Sequence, residues 1–410
     1  MIVDQSRTIV ITGIGLVTSL GSDRESSWGA IRNGRSGARM LDLAELGPGF
    51  AGFPTPRPSS IETDPALGLL ESAADQAMAD AGLEGPDRDI DPVRVAVLIG
   101  LSKGGVWNLS RTHRMVRSGS TDEESLARAW STSWPNAGAS AVAARRGFRG
   151  PCLAPVAACA TGLVAALQAA DLIRRGACDL ALAGGADASL EPILLGAFRR
   201  MKVLARFDGD PTRAVRPWDR NRSGFLIGEG GAVLVLERLD RALARGRIPI
   251  AELAGGALGS DAHHETSLDP NPESLARVIR RALADASTNP TELDAVNVHG
   301  TATRSNDPLE CRALRLALGD EASRLACSAN KPQIGHLLGA AGSAELAIAA
   351  LSIRDGFAPP TLNLDDPDPA CDLDGTPRVG RSLPIRAVLK LSIGFGGHLA
   401  AAVLRKVDLG

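Results

Sequence analysis

Val156-Ala157-Ala158-Cys159-Ala160-Thr161-Gly162, followed by the apolar run Leu163-Val164-Ala165-Ala166-Leu167, decides how the chain reads. Pro155 and the small residues after it fit a buried strand end or a sharp turn. From Thr161 to Arg175 the period becomes helical, with Leu163, Leu167, Ala170 and Ile173 on one face. Arg174 and Arg175 suit the negative end of that helix, and Gly176 suits its stop. Cys159 is thereby expected at a corner leading into a helix, beside the positive end of its dipole. There the thiol should ionise below its usual ~8.5 and act as a nucleophile toward carbonyls. Taken alone, a cysteine among alanines also reads as a buried structural thiol.

Working outward, strands and helices alternate. Thr8–Thr12 reads as a buried strand followed by a glycine turn, Gly13-Ile14-Gly15. Thr18 stands where the third glycine of a dinucleotide-binding loop belongs, so that reading fails. Residues 46–62 read as a surface loop, Pro65–Gly82 as a helix and 112–128 as a charged, exposed excursion. Val93–Ile99, Leu180–Ala183 and Ala232–Leu236 are continuous apolar strands, which predicts a mostly parallel sheet covered on both faces. Near residue 250 a second series begins, Ala251–Leu258 to Ala387–Leu391. It repeats the layout of the first, so two similar α/β halves are expected, residues 1–250 and 251–410.

The second half holds a polar constellation. Asn297-Val298-His299-Gly300-Thr301-Ala302-Thr303 puts a histidine at a strand end, where α/β sheets bind ligands. A second lies in Asn330-Lys331-Pro332-Gln333-Ile334-Gly335-His336, before the small residues Gly339–Gly342. Gly394-Phe395-Gly396-Gly397 is a flexible loop between two apolar runs. Singly, each histidine reads as structural; neither has the spacing or the acidic partner of a zinc site. The adjacent pair His263-His264 lies in a polar loop.

Composition narrows the class. The 410 residues carry 45 basic and 47 acidic side chains, 3% aromatics and no Tyr, which argues against a nucleic-acid surface. Six dispersed cysteines without a CxxC pair suit a reducing cytoplasm. No apolar run is long enough to span a bilayer, and residues 1–7 lack a signal-peptide pattern.

From Arg7 through Val403 the chain resembles the β-ketoacyl-acyl carrier protein synthases, of fatty-acid (KAS II) or type II polyketide systems. The resemblance rests on Ala158–Gly162, Gly224–Gly230, His299–Thr303, Lys331–His336, Gly339–Gly342 and Gly394–Gly397, in that order. It implies a thiolase-like fold, two α/β halves in an α-β-α-β-α layering, and decarboxylative condensation of malonyl-carrier with an acyl group on Cys159. It further implies that His299 and His336 act on the malonyl group, while the N–H groups of Cys159 and Phe395 form the oxyanion hole. Lys331 is expected to pair with Glu310, and Phe225, Phe395, Gly394 and Gly396 to shape the pocket or gate. No metal or dissociable cofactor is implied. The expected partners are acyl carrier protein and either a second copy or a chain-length-factor-like subunit. Arg200, Lys202 and Arg206, in a basic segment that otherwise reads as a solvated loop, are candidates for carrier docking. Leu391 and His398-Leu399 depart from the gate loop of housekeeping enzymes, which have Asn and Thr-Asn there. Asn306-Asp307 leans toward polyketide or polyene ketosynthases. A non-catalytic chain-length subunit is the alternative reading, and such relatives lack the cysteine that this chain has.

Overall fold

Ten strands form one mixed sheet in the computed structural model, which describes residues 7–43, 46–56, 64–84, 90–119 and 122–409. The first-half strands are β1 (Ile9–Val17), β2 (Arg39–Met40), β3 (Ala51–Gly52), β4 (Val95–Gly100), β5 (Cys152–Leu153), β6 (Leu180–Asp187) and β7 (Gly230–Arg238). The second-half strands are β8 (Ala251–Ser260), β9 (Ala295–Asn297), β10 (Ala326–Ser328), β11 (Phe357–Ala358), β12 (Arg381–Ser382), β13 (Ala387–Gly394) and β14 (His398–Arg405). Helices up to residue 174 are α1 (Arg24–Arg32), α2 (Pro65–Asp80), α3 (Val106–Ser118), α4 (Glu123–Ser133), α5 (Ala137–Arg146) and α6 (Thr161–Arg174). The rest are α7 (Pro192–Arg200), α8 (Leu239–Ala244), α9 (Glu273–Asp285), α10 (Asn306–Leu318), α11 (Lys331–Ile334) and α12 (Ala341–Asp355).

The sheet order is β10-β9-β13-β14-β8-β1-β7-β6-β4-β5. Read outward from the β1–β8 junction, both sides repeat one pattern: two antiparallel pairings, then two parallel ones. The sheet is therefore mixed, not mostly parallel. The continuous apolar strands reflect burial on both faces, which the layering supplies whatever the strand direction. Helix α2 covers the outer face of the first half-sheet, α9 with α10 that of the second, and α6 with α12 fill the layer between them. Helix α12 is accordingly apolar nearly all round and buried from Ala341 to Ile353.

Close approach explains several glycines. Gly13 and Gly15 are not in a turn: they lie within β1, where a Cβ would come 2.1 Å from the Ala77 carbonyl oxygen and 1.8 Å from that of Ala73 on α2. In the central layer, a Cβ on Gly162 would lie 2.5 Å from Ser343 N, and one on Gly342 2.5 Å from Leu163 N. The first turns of α6 and α12 thus meet backbone to backbone. Each helix is also preceded by a 3₁₀ turn, Ala158–Ala160 and Leu338–Ala340, opening on a residue in the left-handed region (φ 47° and 46°).

One further expectation changes and another gains detail. The segment expected as a surface loop over 46–62 includes β3 with buried Phe50 and Phe53, and its part after residue 56 lies outside the described residues. The excursion around 112–128 is exposed as expected and is built as a helical pair, α3 and α4, with residues 120–121 outside the described set. No helix among the described residues is long and apolar enough to cross a membrane.

Candidate active site

The turn that carries Cys159 is braced from within. Thr161 Oγ1 accepts from Ala157 N (2.9 Å) and donates to Ala158 O (2.8 Å), holding Ala158 in its left-handed conformation. Cys159 then sits two residues before the helix that begins at Thr161, in a buried cluster with Phe50, Leu190, Leu195, Phe225, Ile227 and Leu338. Its thiol does not ionise as easily as the corner position suggests. Burial pushes its pKa up to about 11, outweighing the nearby ammonium groups of Lys103 and Lys331 and the Phe395 N–H that points at the sulfur. Helix dipoles fade with solvent screening and distance, whereas desolvation of a fully enclosed thiolate does not.

His336 is placed by two glycine motifs. Its N–H donates to Leu226 O (2.9 Å), and its carbonyl accepts from Gly228 N (3.0 Å), so the Gly224–Gly230 segment stitches down the loop that carries it. Gly335, at φ +79°, faces the Phe53 ring where a Cβ would collide. His336 Nε2 then lies 3.1 Å from Cys159 Sγ. Its Nδ1 is buried with no partner among the described residues, so no neighbour fixes which nitrogen carries the proton. The Phe225 ring stands edge-on to His336, centroids 4.8 Å apart, and His299 does the same at 5.4 Å.

His299 follows β9, and the structure corrects the expected role of Glu310 beside it. Glu310, on α10, is not the partner of Lys331. Its carboxylate accepts the N–H groups of His299 (2.6 Å) and Gly300 (2.9 Å), fixing the backbone that presents the ring. Burial raises the Glu310 pKa, and these two backbone bonds oppose the rise. The acid facing Lys331 is Glu345 on α12, with Nζ 2.6 Å from Oε1. Lys331 Nζ also donates to the His299 carbonyl and lies 3.5 Å from His299 Nδ1. An ammonium there can only donate, so Nδ1 accepts and Nε2 keeps its hydrogen, facing the site. Burial lowers both histidine pKa values well below the usual, and Lys331 adds to it, so both rings are neutral.

The remaining expected residues distribute as follows. Gly394 ends β13 directly over the turn that carries Cys159, where a Cβ would lie 2.4 Å from Ala157 O. Phe395 is half-buried, and Gly396 and Gly397 take left-handed φ values of +85° and +77°. The loop is pinned by Gly396 N donating to Glu265 O (2.8 Å), which ties it to the His263–Glu265 segment. Arg200, Lys202 and Arg206 are exposed near the end of α7, whose Phe198 packs against Phe225. The basic patch and the Cys159 pocket therefore share one wall.

Four site residues escaped the sequence reading. Glu345 is a single acid inside the apolar α12, and Lys390 a single base inside Val388-Leu389-Lys390-Leu391. A lone charge in a continuous apolar run must find a buried partner, so that pattern was the available signal. Lys103 and Asp187 are the other two, joined at 2.7 Å, with Asp187 also accepting from Gly339 N (3.2 Å).

Comparison with known proteins identifies the family. Residues 6–242 match the family described as beta-ketoacyl synthase, N-terminal domain, and residues 250–365 its C-terminal domain. The chain is 36% identical to a 3-oxoacyl-[acyl-carrier-protein] synthase 2 of Coxiella burnetii, over 98% of this chain and 99% of that one. It is also 36% identical to the tetracenomycin polyketide synthase ketoacyl synthase alpha subunit of Streptomyces glaucescens, over 98% and 97%. Among solved structures, a type II polyketide synthase acyl-carrier protein in complex with its ketosynthase superposes with a TM-score of 0.90 at 32% identity, covering 98% of this chain and all (100%) of that one. The ishigamide ketosynthase/chain length factor gives 0.89 at 32%, with the same coverage of 98% and 100%. The thiolase-like fold and the order of the site motifs thus have one explanation: the chain belongs to the β-ketoacyl synthase family.

Proposed function

We propose that this chain is a β-ketoacyl-acyl carrier protein synthase that extends an acyl chain held on Cys159 by two carbons, with the residues above in the roles described below. The observation that carries the assignment of roles is the 3.1 Å approach of His336 Nε2 to Cys159 Sγ, with the Phe395 N–H directed at the same sulfur.

With a thiol pKa of about 11, the ionised fraction at neutral pH is only ~10⁻⁴. Attack on the donor thioester therefore needs the thiol proton to pass to His336 Nε2 as the S–C bond forms. The oxyanion that develops is met by the N–H groups of Cys159 and Phe395, and its collapse expels the carrier thiolate, which takes the proton from His336 and leaves that ring neutral. Malonyl thioester then enters; its carboxylate C–C bond breaks, CO₂ leaves, and the electron pair passes into an enolate. Nε2–H of His299 and the neutral His336 ring supply hydrogen bonds to the enolate oxygen in a site that excludes water. The enolate carbon attacks the Cys159 thioester, and the sulfur leaves as a thiolate that is reprotonated from solvent once the product departs. Lys331 holds His299 by its carbonyl and Nδ1, and Glu310 holds the same loop from the other side.

Carrier docking at Arg200, Lys202 and Arg206 suits an acidic partner, and these side chains form no ion pair among the described residues. For assembly, β5 is the exposed edge of the sheet, open to pairing with a second copy or with a chain-length-factor-like subunit. We read residues 1–250 and 251–410 as the two halves of a cytoplasmic enzyme, each bringing part of the site. The test is intact-protein mass after mixing the chain with acyl-loaded carrier protein. A gain equal to the acyl group, absent in Cys159→Ala, is the expected outcome. No gain, even after co-expression with a candidate partner subunit, would favour the non-catalytic role.

A further inference from the structure

The chemistry above leaves one buried ammonium unused. Lys390 lies in the middle of β13, fully buried between Leu389 and Leu391. Its Nζ donates to Glu345 Oε2 (2.7 Å) and to the Leu391 carbonyl. Glu345 thus divides its carboxylate between two lysines: Oε1 takes Lys331 and Oε2 takes Lys390. A single lysine would balance this acid; the second is a further buried base, whose pKa burial and Lys331 lower while Glu345 and Glu310 oppose the fall.

Its place in the chain gives that base a use. Lys390 is on the strand that ends at Gly394, directly before Phe395, and Gly394 lies against the backbone of the nucleophile turn. Lys331, at the other end of the bridge, grips His299. One carboxylate therefore ties the strand that presents the oxyanion donor to the residue that orients the malonyl-side histidine.

We propose that Lys390 is a positioning residue for the condensation: through Glu345 it sets the register of the Phe395 strand against the Lys331–His299 pair, and it supplies a second positive charge facing both histidines. The proposal rests on the condensing reading. The charged and titratable groups around the two rings are Lys331 on α11, Glu345 on α12, Lys390 on β13, Glu310 and Asp307 on α10, and Cys159. Lys103 and Asp187 complete the set beside His336. Among these, Lys390 lowers the pKa of His299 behind burial, Lys331 and His336, and that of His336 behind burial, Lys331 and Lys103. Removing it therefore raises both. A protonated His336 cannot accept the Cys159 proton, so the acid limb of the rate profile must move to higher pH.

The experiment compares wild type with Lys390→Met, Lys390→Gln and Lys390→Arg, following acylation of Cys159 and decarboxylation of malonyl-carrier between about pH 5 and 9. Lys390→Met should shift the acid limb to higher pH and lower the rate at the acid end, with KM for carrier unchanged. Its melting temperature should hold or rise, because Lys331–Glu345 remains as a balanced pair. Lys390→Gln keeps a donor without the charge and should shift the limb in the same direction, whereas Lys390→Arg should restore it. Profiles that superimpose on wild type while the melting temperature falls would overturn the proposal and leave Lys390 a purely structural residue. A wild-type protein that neither acylates nor decarboxylates would instead overturn the condensing reading itself.

Discussion

At the scale of single residues, the site is governed by burial more than by formal charge. Cys159 has two cations and a helix start beside it, yet its thiol is pushed up to about 11. Each of those favourable interactions is partial, while the loss of water around the sulfur is complete. Alkylation of Cys159 by iodoacetamide should therefore keep accelerating with pH until about 11 instead of levelling near the free-thiol value; a plateau near ~8.5 would show that the pocket admits water. Asp307 shows the same effect on a carboxylic acid: fully enclosed, it is raised to about 6 although Trp218 N donates to it at 3.0 Å. Glu310 itself shows how a residue can be recognised and its partner mistaken. It supports the site, but through the His299 and Gly300 amides and not through Lys331.

At the scale of elements, the contact between α6 and α12 is what makes a site of the two halves. Cys159 precedes one helix and His336 lies just upstream of the other, and Gly162 and Gly342 let the first turns touch. Gly162→Ala places a methyl group 2.5 Å from Ser343 N, a backbone atom that cannot swing aside. The expected cost is ~1–3 kcal/mol of stability, read as a lowered melting temperature, together with slower acylation of Cys159 because the sulfur and His336 are moved apart. A control substitution at Gly29 on α1, where no atom lies within 4 Å of the added Cβ, should leave acylation intact. Helix α6 was legible from period, basic C-terminal residues and Gly176 as its stop. The β1 glycines were not, because Gly-x-Gly after an apolar run has the same appearance in a turn and in a strand packed tightly under a helix.

For the whole molecule, the repeated strand order outward from β1 and β8 brings the two central helices, one from each half, into a shared layer. The basic patch at the end of α7 lies against the wall of the Cys159 pocket through Phe198 and Phe225. Replacing Arg200, Lys202 and Arg206 by Glu should raise KM for acyl-carrier about tenfold or more while leaving turnover of a small acyl thioester nearly unchanged. Equal loss with both donors would place the defect in the pocket and not in docking.

The amino-acid sequence by itself determined the α/β class, and it singled out Cys159, His299 and His336, the residues proposed above to carry the chemistry, because each lies in a motif of small residues that allow close backbone approach. It could not determine strand direction, since burial on both faces gives parallel and antiparallel strands the same apolar run. Nor could it assign ion-pair partners: Lys331 and Glu310 are 21 positions apart and Lys331 and Glu345 are 14 apart, and only the packing of α12 between the half-sheets makes the second pair the real one. The ionisation of Cys159 was decided last, by how completely the folded pocket encloses it.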